Sequence, residues 1–252
     1  MKLAVTGKGG VGKTTICALL ARAFADRAHR VLAVDADPNA TLAACLGFPE
    51  PEAIPPLSEM ADLIEERTGV KPGTQGAMFR LNPSVDDIPD RFSAQHDGIR
   101  LLRMGAVKRG GAGCYCPENS FLKSLVSHLF LDDQDVLIMD MEAGVEHLGR
   151  GTAMGVDWLL IVVEPSRQSM DTAARIRSLA ADIGLTRVGL VGSKCRSEQE
   201  REFLARSAAP LPLLGVIPYD DALRQAEMEG RPPAPALPEV GREIEEIVTR
   251  LA

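Results

Sequence analysis

Short apolar runs alternate with longer stretches of helical period along most of the chain. Several of the runs are continuously apolar, which is typical of parallel strands covered by helices on both faces. The predicted strands are Lys2–Thr6, Val31–Val34, Ile99–Arg103, Val136–Met139, Leu159–Val163, Val188–Val191 and Leu213–Ile217. The predicted helices are Thr14–Asp26, Ser58–Arg67, Glu118–Leu131, Ser169–Ile183, Asp220–Glu229 and Glu239–Leu251.

This alternation predicts an α/β fold, with a single doubly wound, mostly parallel sheet and helices on both faces. Residues 49–100 break the rhythm with seven prolines and four glycines, so we interpret them as an irregular insertion over the sheet edge. We therefore expect one domain over residues 1–252.

Composition narrows the function classes. The 252 residues carry 28 Lys and Arg against 35 Asp and Glu, a formal net charge of −7, and 45% are hydrophobic. This balance disfavours non-specific nucleic-acid binding, which needs a positive field. We find neither a signal-peptide core nor a membrane-spanning run, and the last helix lacks the basic face of a membrane-surface helix. We expect a cytoplasmic protein that binds neither nucleic acid nor membrane.

The strongest motif is Gly7-Lys8-Gly9-Gly10-Val11-Gly12-Lys13-Thr14, which matches the phosphate-binding pattern G-x-x-x-x-G-K-[ST]. Glycines let successive backbone N–H groups turn around an anion, and the dipole of the following helix adds to their attraction. Lys13 supplies charge at the β- and γ-phosphates, and the Thr14 hydroxyl can ligate Mg²⁺. The predicted nucleotide-binding residues of the loop are Gly9, Gly10, Val11, Gly12, Lys13, Thr14 and Thr15.

With Lys8 and Thr15 the loop becomes KGGVGKTT, which resembles the deviant Walker A motif of the MinD/ParA and nitrogenase-iron-protein class of ATPases. The resemblance implies a P-loop NTPase fold, a homodimer, and hydrolysis of ATP to ADP and phosphate. It also implies that Lys8 reaches across the dimer to the nucleotide of the partner subunit, and that Lys8, Lys13 and Asp37 are the catalytic residues.

Two further segments fit this class in order and spacing. Val34-Asp35-Ala36-Asp37-Pro38-Asn39 resembles its switch I, which implies that Asp37 orients the attacking water; Asp35 is the weaker candidate for supporting Mg²⁺. Asp140-Met141-Glu142-Ala143-Gly144 follows an apolar strand in the manner of a Walker B and switch II segment, which places Asp140 in the water shell of the metal.

A base site is predicted near Ser193-Lys194-Cys195-Arg196. A guanine site of the common GTPase pattern needs a carboxylate where Arg196 stands, so the segment favours ATP. Ser193 replaces the asparagine that relatives usually place against adenine. We assign Lys194, Pro218 and Tyr219 to nucleotide binding, the last two from the loop Ile217-Pro218-Tyr219-Asp220 through backbone groups.

Cys114 and Cys116 form a Cys-x-Cys pair in a glycine-rich loop at 111–117. Two thiolates at this spacing can hold one soft metal but fill only half of a four-coordinate shell, which a two-fold dimer would complete. The run CYCPEN, with DMEAGVEHLGRGTA, VVEPSRQSM and GVIPYD downstream, resembles the CooC-type ATPases that assist nickel insertion into carbon monoxide dehydrogenase. The resemblance implies Ni²⁺, with Zn²⁺ possible in vitro, on the cysteines of both subunits, and carbon monoxide dehydrogenase as the client.

Two other functions stay open on the sequence. One is a positioning ATPase of the ParA or MinD kind, which would need a basic face or a basic C-terminal helix. The other is an iron–sulfur electron-transfer ATPase like the nitrogenase iron protein. A zinc site that only holds the dimer together is the purely structural alternative for the cysteines.

Overall fold

The computed structural model describes residues 1–37, 40–74, 78–105, 117–131, 136–145, 148, 155–233 and 238–251. The strands are β1 Lys2–Gly7, β2 Val31–Ala36, β3 Ala94–His96, β4 Ile99–Arg103, β5 Val136–Met141, β6 Trp158–Val163, β7 Val188–Cys195 and β8 Leu213–Pro218. The helices are α1 Lys13–Asp26, α2 Leu42–Cys45, α3 Ala61–Thr68, α4 Ile88–Phe92, α5 Pro117–Leu131, α6 Arg167–Asp182, α7 Glu198–Ser207, α8 Asp221–Met228 and α9 Pro238–Leu251.

The strands form one sheet in the order β3-β4-β2-β5-β1-β6-β7-β8. Every pairing in it is parallel except that of β3 with β4 at the edge. The predicted fold class is therefore confirmed. Because the parallel strands all end at one edge of the sheet, the loops after β1, β2, β4, β5 and β7 emerge on the same side. In open α/β sheets this edge binds ligands.

Two apolar cores lie on opposite faces of the sheet. One packs α1, α2 and α9 against the sheet through residues such as Ile16, Leu42 and Ile247. The other packs α3, α5, α6 and α7 through residues such as Ile64 and Phe121. This burial on both faces explains why the strands are continuously apolar.

The sequence prediction lacks strand β3 and the helices α2, α4 and α7. In α7 only Leu204 is buried, so its sequence has little apolar period, and the helix begins where Ser197 accepts a hydrogen bond from the Glu200 N–H. Helix α3 begins at Ala61 rather than Ser58 because Leu57–Glu59 form a 3₁₀ turn. None of the described helices is long and apolar enough to span a membrane.

Candidate nucleotide site

The phosphate loop joins β1 to α1 at the centre of the sheet. Three of its glycines have positive φ, with Gly7 at 151°, Gly10 at 80° and Gly12 at 92°. A Cβ on Gly7 would lie 2.4 Å from the Val162 carbonyl oxygen, so the loop can turn here only with glycine. Gly12 caps α1 without a side-chain hydrogen bond, which leaves the first amides of the helix available to an anion.

Thr14 and Asp140 meet at this end of the site. The Thr14 hydroxyl donates to Asp140 Oδ2 at 2.6 Å, and Asp140 Oδ1 is buried with no hydrogen-bond partner. Burial raises the pKa of Asp140 to about 7, against the lowering effect of the Thr14 hydrogen bond. A hydroxyl and a carboxylate with an unused oxygen fit Mg²⁺, which prefers hard oxygen ligands and keeps several waters. When bound, the metal would neutralise charge that develops on the phosphates.

Asp35 lies beside this pair but has a different set of contacts. Its carboxylate accepts hydrogen bonds from the Leu42 N–H at 3.0 Å and from the Asp37 N–H at 3.3 Å. Burial raises its pKa to about 6. Because both of its oxygens bind backbone N–H groups, Asp35 anchors the segment that carries Asp37. The described geometry gives no direct contact between Asp35 and Thr14.

The two lysines of the loop lie in different environments. The Lys13 side chain is almost fully buried, and its charge lowers the pKa of Asp140. The Lys8 ammonium is partly exposed, donates to Gln168 Oε1 at 2.9 Å and lies 3.7 Å from a Glu164 carboxylate oxygen. Neither Gln168 nor Glu164 was predicted from the sequence, because they lie more than 150 residues away along the chain.

The base end of the site is a cavity of about 390 Å³. Its lining includes the predicted residues Gly12, Thr15, Lys194, Pro218 and Tyr219, together with Ser193, Arg196, Leu223 and Arg224. The Arg196 guanidinium lies 3.5 Å from the centre of the Tyr219 ring, and the Arg224 side chain donates to the Tyr219 hydroxyl at 3.2 Å. A flat, partly apolar wall of this kind suits a planar base.

Lys194 connects the two ends of the site. It has a φ of 58° at an irregularity in the pairing of β7 with β8, between Gly192 and Cys195. Such an irregularity redirects side chains, and the Lys194 ammonium donates to the Gly10 carbonyl oxygen at 2.7 Å. Lys194 therefore fixes the phosphate loop, and its contact with the nucleotide stays a prediction.

Comparison with known proteins identifies the family to which this chain belongs. Residues 2–233 match the model of the CobQ/CobB/MinD/ParA nucleotide-binding domain family. Over 91% of the chain and 88% of the relative, the sequence is 47% identical to the carbon monoxide dehydrogenase accessory protein CooC of Rhodospirillum rubrum. The chain belongs to the MinD/ParA family, as a CooC-type ATPase. An uncharacterized ATP-binding protein of Methanocaldococcus jannaschii is 46% identical over 92% of the chain and 90% of the relative.

Solved structures of MinD/ParA ATPases share the fold. A ParA family ATPase from Chlorobium tepidum covers 98% of this chain with a TM-score of 0.71 at 20% identity, and 98% of that structure is matched. MinD from Aquifex aeolicus covers 99% with a TM-score of 0.67, also at 20% identity, and 96% of it is matched. At 20% identity, this similarity shows that the chain has the same fold as these proteins and nothing more about it.

The CooC-type ATPase hydrolyses ATP at the edge of the sheet where these residues meet. The geometry suits the loop amides and Lys13 to phosphate oxygens, and Thr14 with Asp140 to a metal ion. Three charged groups in this small volume, Lys13, Asp35 and Asp140, are each less than a tenth exposed. The positive charge of Lys13, held in place and shielded from water, would stabilise a developing negative charge more strongly than an ammonium in solution. The Asp140 carboxylate would act through the metal that it could hold.

The remaining thiols near this site are not reactive groups. Cys17 is fully buried, and burial together with the Asp140 carboxylate raises its pKa well above the usual value. Burial also raises the pKa of Cys45, to about 11. Both are packing residues, because the thiolate is the reactive form.

The predicted Cys-x-Cys site, Cys114 and Cys116, lies outside the described residues. Among those described, no group of three or more His, Cys, Asp or Glu side chains could hold a metal ion. The ends of the segment are described: β4 ends at Arg103, and α5 begins at Pro117, directly after Cys116. Because β4 runs parallel to β2, its end at Arg103 lies at the edge of the sheet that holds the phosphate loop.

Proposed function

We propose that this ATPase is a metallochaperone that forms an ATP-dependent homodimer, carries Ni²⁺ on Cys114 and Cys116 of both subunits, and assists nickel insertion into carbon monoxide dehydrogenase. The observation that carries the proposal is that β4, the last described strand before the Cys-x-Cys pair, ends at Arg103 at the nucleotide edge of the sheet. The name of the R. rubrum relative supports the client. A cytoplasmic location fits this function.

The chain directly after β4 is bonded to the strand that carries Asp35. The Met104 N–H donates to the Asp35 carbonyl oxygen at 2.8 Å, and the Met104 carbonyl accepts from the Ser58 N–H at 3.0 Å. Gly105 follows with a φ of 80°, and a Cβ there would lie 2.1 Å from Ser58 Oγ. Because this junction is tightly packed, a movement of the Asp35–Asp37 segment would be passed to the loop.

Valence and symmetry support a site shared between subunits. Two thiolates from one chain leave a four-coordinate soft metal half-ligated, and two chains related by a two-fold axis supply four sulfurs. ATP bound at two facing sites would favour the closed dimer and bring the cysteine pairs together. Hydrolysis would then loosen the dimer at the client, a population shift that follows from differential binding.

Within this scheme Lys8 completes the nucleotide site of the partner subunit and Asp37 orients the attacking water. Asp37 is half-buried and follows Asp35 in the anchored segment, which supports a positioning role. We expect Asp37→Asn to bind Mg-ATP with unchanged affinity, to accumulate as a dimer, and to hydrolyse ATP about 100-fold more slowly. Wild-type turnover by this variant would move the role elsewhere, with Glu142 the next candidate.

An anaerobic metal titration tests the proposed site. Ni²⁺ is added to the wild-type chain, to Cys114→Ser, to Cys116→Ser and to the control Cys45→Ser, and the mass of each species is measured by light scattering. We expect one Ni²⁺ per two chains in the wild type and in the control, and no tight binding in the other two variants. Basal ATPase activity should be largely retained in both Cys-x-Cys variants.

Three outcomes would contradict the proposal. One tightly bound Ni²⁺ per monomer would exclude a shared site. Visible absorbance of an iron–sulfur cluster after anaerobic purification would favour an electron-transfer ATPase. Failure of the bound metal to reach carbon monoxide dehydrogenase would favour a zinc site that only holds the dimer together.

A further inference from the structure

Thr6 is a fully buried polar residue that the nucleotide site as described so far does not use. Its hydroxyl oxygen lies 2.9 Å from the Glu142 carbonyl oxygen and 2.8 Å from the Gly144 carbonyl oxygen. It also accepts a hydrogen bond from the Gly144 N–H at 3.0 Å. The single hydroxyl proton can be donated to only one of the two carbonyls at a time. The Thr6 hydroxyl therefore holds the turn at 142–144 both as a donor, to a carbonyl oxygen, and as an acceptor, from the Gly144 N–H.

This contact joins the end of β1, directly before the phosphate loop, to the turn that follows Asp140. Thr6 comes directly before Gly7, where the phosphate loop starts, and β1 pairs in register with β5, Val5 opposite Asp140. The turn begins two residues after Asp140, whose carboxylate binds Thr14. The Gly144 N–H is thus at the phosphate end of the site, in a glycine with a φ of 130° that few other residues adopt.

In this structure the Gly144 N–H donates to a neutral acceptor, the Thr6 hydroxyl. A phosphate oxygen is anionic, and charge-assisted hydrogen bonds are roughly twice as strong as neutral ones. We propose that Thr6 is a positioning residue that holds the Gly144 N–H when the γ-phosphate is absent and releases it to the γ-phosphate of ATP. The Thr6 hydroxyl thereby sets how strongly the ATPase distinguishes ATP from ADP.

The proposal rests on the ATPase activity. It does not depend on the proposed Ni²⁺ site or on the client enzyme. If Thr6 competes with the γ-phosphate for one N–H group, removing its hydroxyl destabilises the form without γ-phosphate. The affinity for a non-hydrolysable ATP analogue should then rise relative to the affinity for ADP. A purely structural hydrogen bond would instead weaken the binding of both nucleotides equally.

Calorimetry on three variants separates these possibilities. Thr6→Val keeps the shape and removes the hydroxyl, Thr6→Ser keeps the hydroxyl, and Thr68→Val removes an equally buried hydroxyl in the insertion, where Thr68 binds the Ile64 and Val70 carbonyls. The ratio of the Kd for Mg-ADP to the Kd for Mg-AMPPNP should rise about tenfold in Thr6→Val. It should stay at the wild-type value in Thr6→Ser and Thr68→Val.

An unchanged or lowered ratio in Thr6→Val would overturn the proposal. If Thr6→Val does not fold, the Gly144 amide resonance of the wild-type chain, observed by NMR, provides the test. It should shift when AMPPNP is added and stay in place with ADP. A shift of the same size with both nucleotides, or with neither, would also overturn the proposal.

Discussion

The phosphate end and the base end of the nucleotide site are built by different means. At the phosphate end, backbone amides and three nearly buried charged residues, Lys13, Asp35 and Asp140, hold one fixed geometry. At the base end, the Arg196, Tyr219 and Arg224 side chains contact one another at the surface. We infer that the phosphate end supplies most of the binding energy and the chemistry, while the base end supplies a smaller and more adaptable part.

We expect the largest effect on ATP affinity from a substitution at the phosphate end. Lys13→Ala removes the buried lysine that we assign to the phosphates. Charge-assisted hydrogen bonds of this kind contribute several kcal/mol, so we expect a loss of about 1000-fold in ATP affinity. Calorimetry measures the loss, with Lys123→Ala on the exposed side of α5 as the control. A loss below tenfold would show that the loop amides alone bind the phosphates.

At the same end, we expect Asp140→Asn to raise the free energy of unfolding while it weakens nucleotide binding. Because burial raises the folded-state pKa of Asp140 from 3.8 to about 7, its ionisation destabilises the metal-free fold as pH rises between these values. In EDTA, the variant should match the wild type near pH 4 and exceed its free energy of unfolding by roughly 2 to 4 kcal/mol at pH 8. It should also lose Mg²⁺-dependent nucleotide binding.

Urea unfolding at a series of pH values measures this difference. Asp35, whose pKa burial raises to about 6, contributes to the pH dependence of both proteins. Because the charge of Asp35 also raises the pKa of Asp140, the difference between the two proteins reports the ionisation of Asp140 together with this coupling. A difference that does not grow with pH would show that the Asp140 carboxylate is well solvated, and would remove the contrast between the two ends.

A smaller effect is expected at the base end. Arg196→Ala removes the guanidinium that lies against the Tyr219 ring in the wall of the base cavity. Exposed cation–π contacts of this type contribute about 0.5 to 1 kcal/mol, so we expect ATP affinity to fall by at most about fivefold. Calorimetry with ATP and with inorganic triphosphate shows which end is affected. Equal losses for both ligands would place Arg196 at the phosphates instead.

The smallest expected effect is on dimerisation, when Lys8 is released from its contact with Gln168. In the described chain its ammonium binds Gln168 and lies near Glu164, so it must leave these contacts before it can reach a partner subunit. Partly exposed contacts of this kind contribute about 0.2 to 1 kcal/mol, so Gln168→Ala should make dimerisation with AMPPNP a few-fold tighter. Sedimentation measures this effect against Gln225→Ala, an exposed glutamine in α8. A weaker dimer would mean that Gln168 supports the interface.

The contrast between the ends also explains what the sequence could predict. Glycine, lysine and threonine at fixed spacing determine a backbone path, so the sequence predicts the Gly7–Thr14 loop. It assigns Thr14 and Asp140 to the metal separately, and the hydrogen bond between them comes from the structure. The Arg196–Tyr219 contact depends on how the loops after β7 and β8 pack. The Lys8–Gln168 and Thr6–Gly144 contacts join residues more than 130 positions apart, and no local pattern marks them.

The same reasoning applies to the fold. Strands β1, β5 and β6 are buried on both faces, so apolar runs identified them. Helix α7 buries only Leu204, and the three residues of β3 pair at an edge, so neither has a pattern to detect.

The central claim is that the nucleotide controls the metal site, and the affinity for Ni²⁺ in each nucleotide state tests it most directly. Ni²⁺ affinity is measured anaerobically by competition with a chelator, in the presence of Mg-AMPPNP and of Mg-ADP. We expect binding at least tenfold tighter with Mg-AMPPNP, at one Ni²⁺ per two chains, because the closed dimer brings both cysteine pairs together. Equal affinity in the two nucleotide states would contradict it.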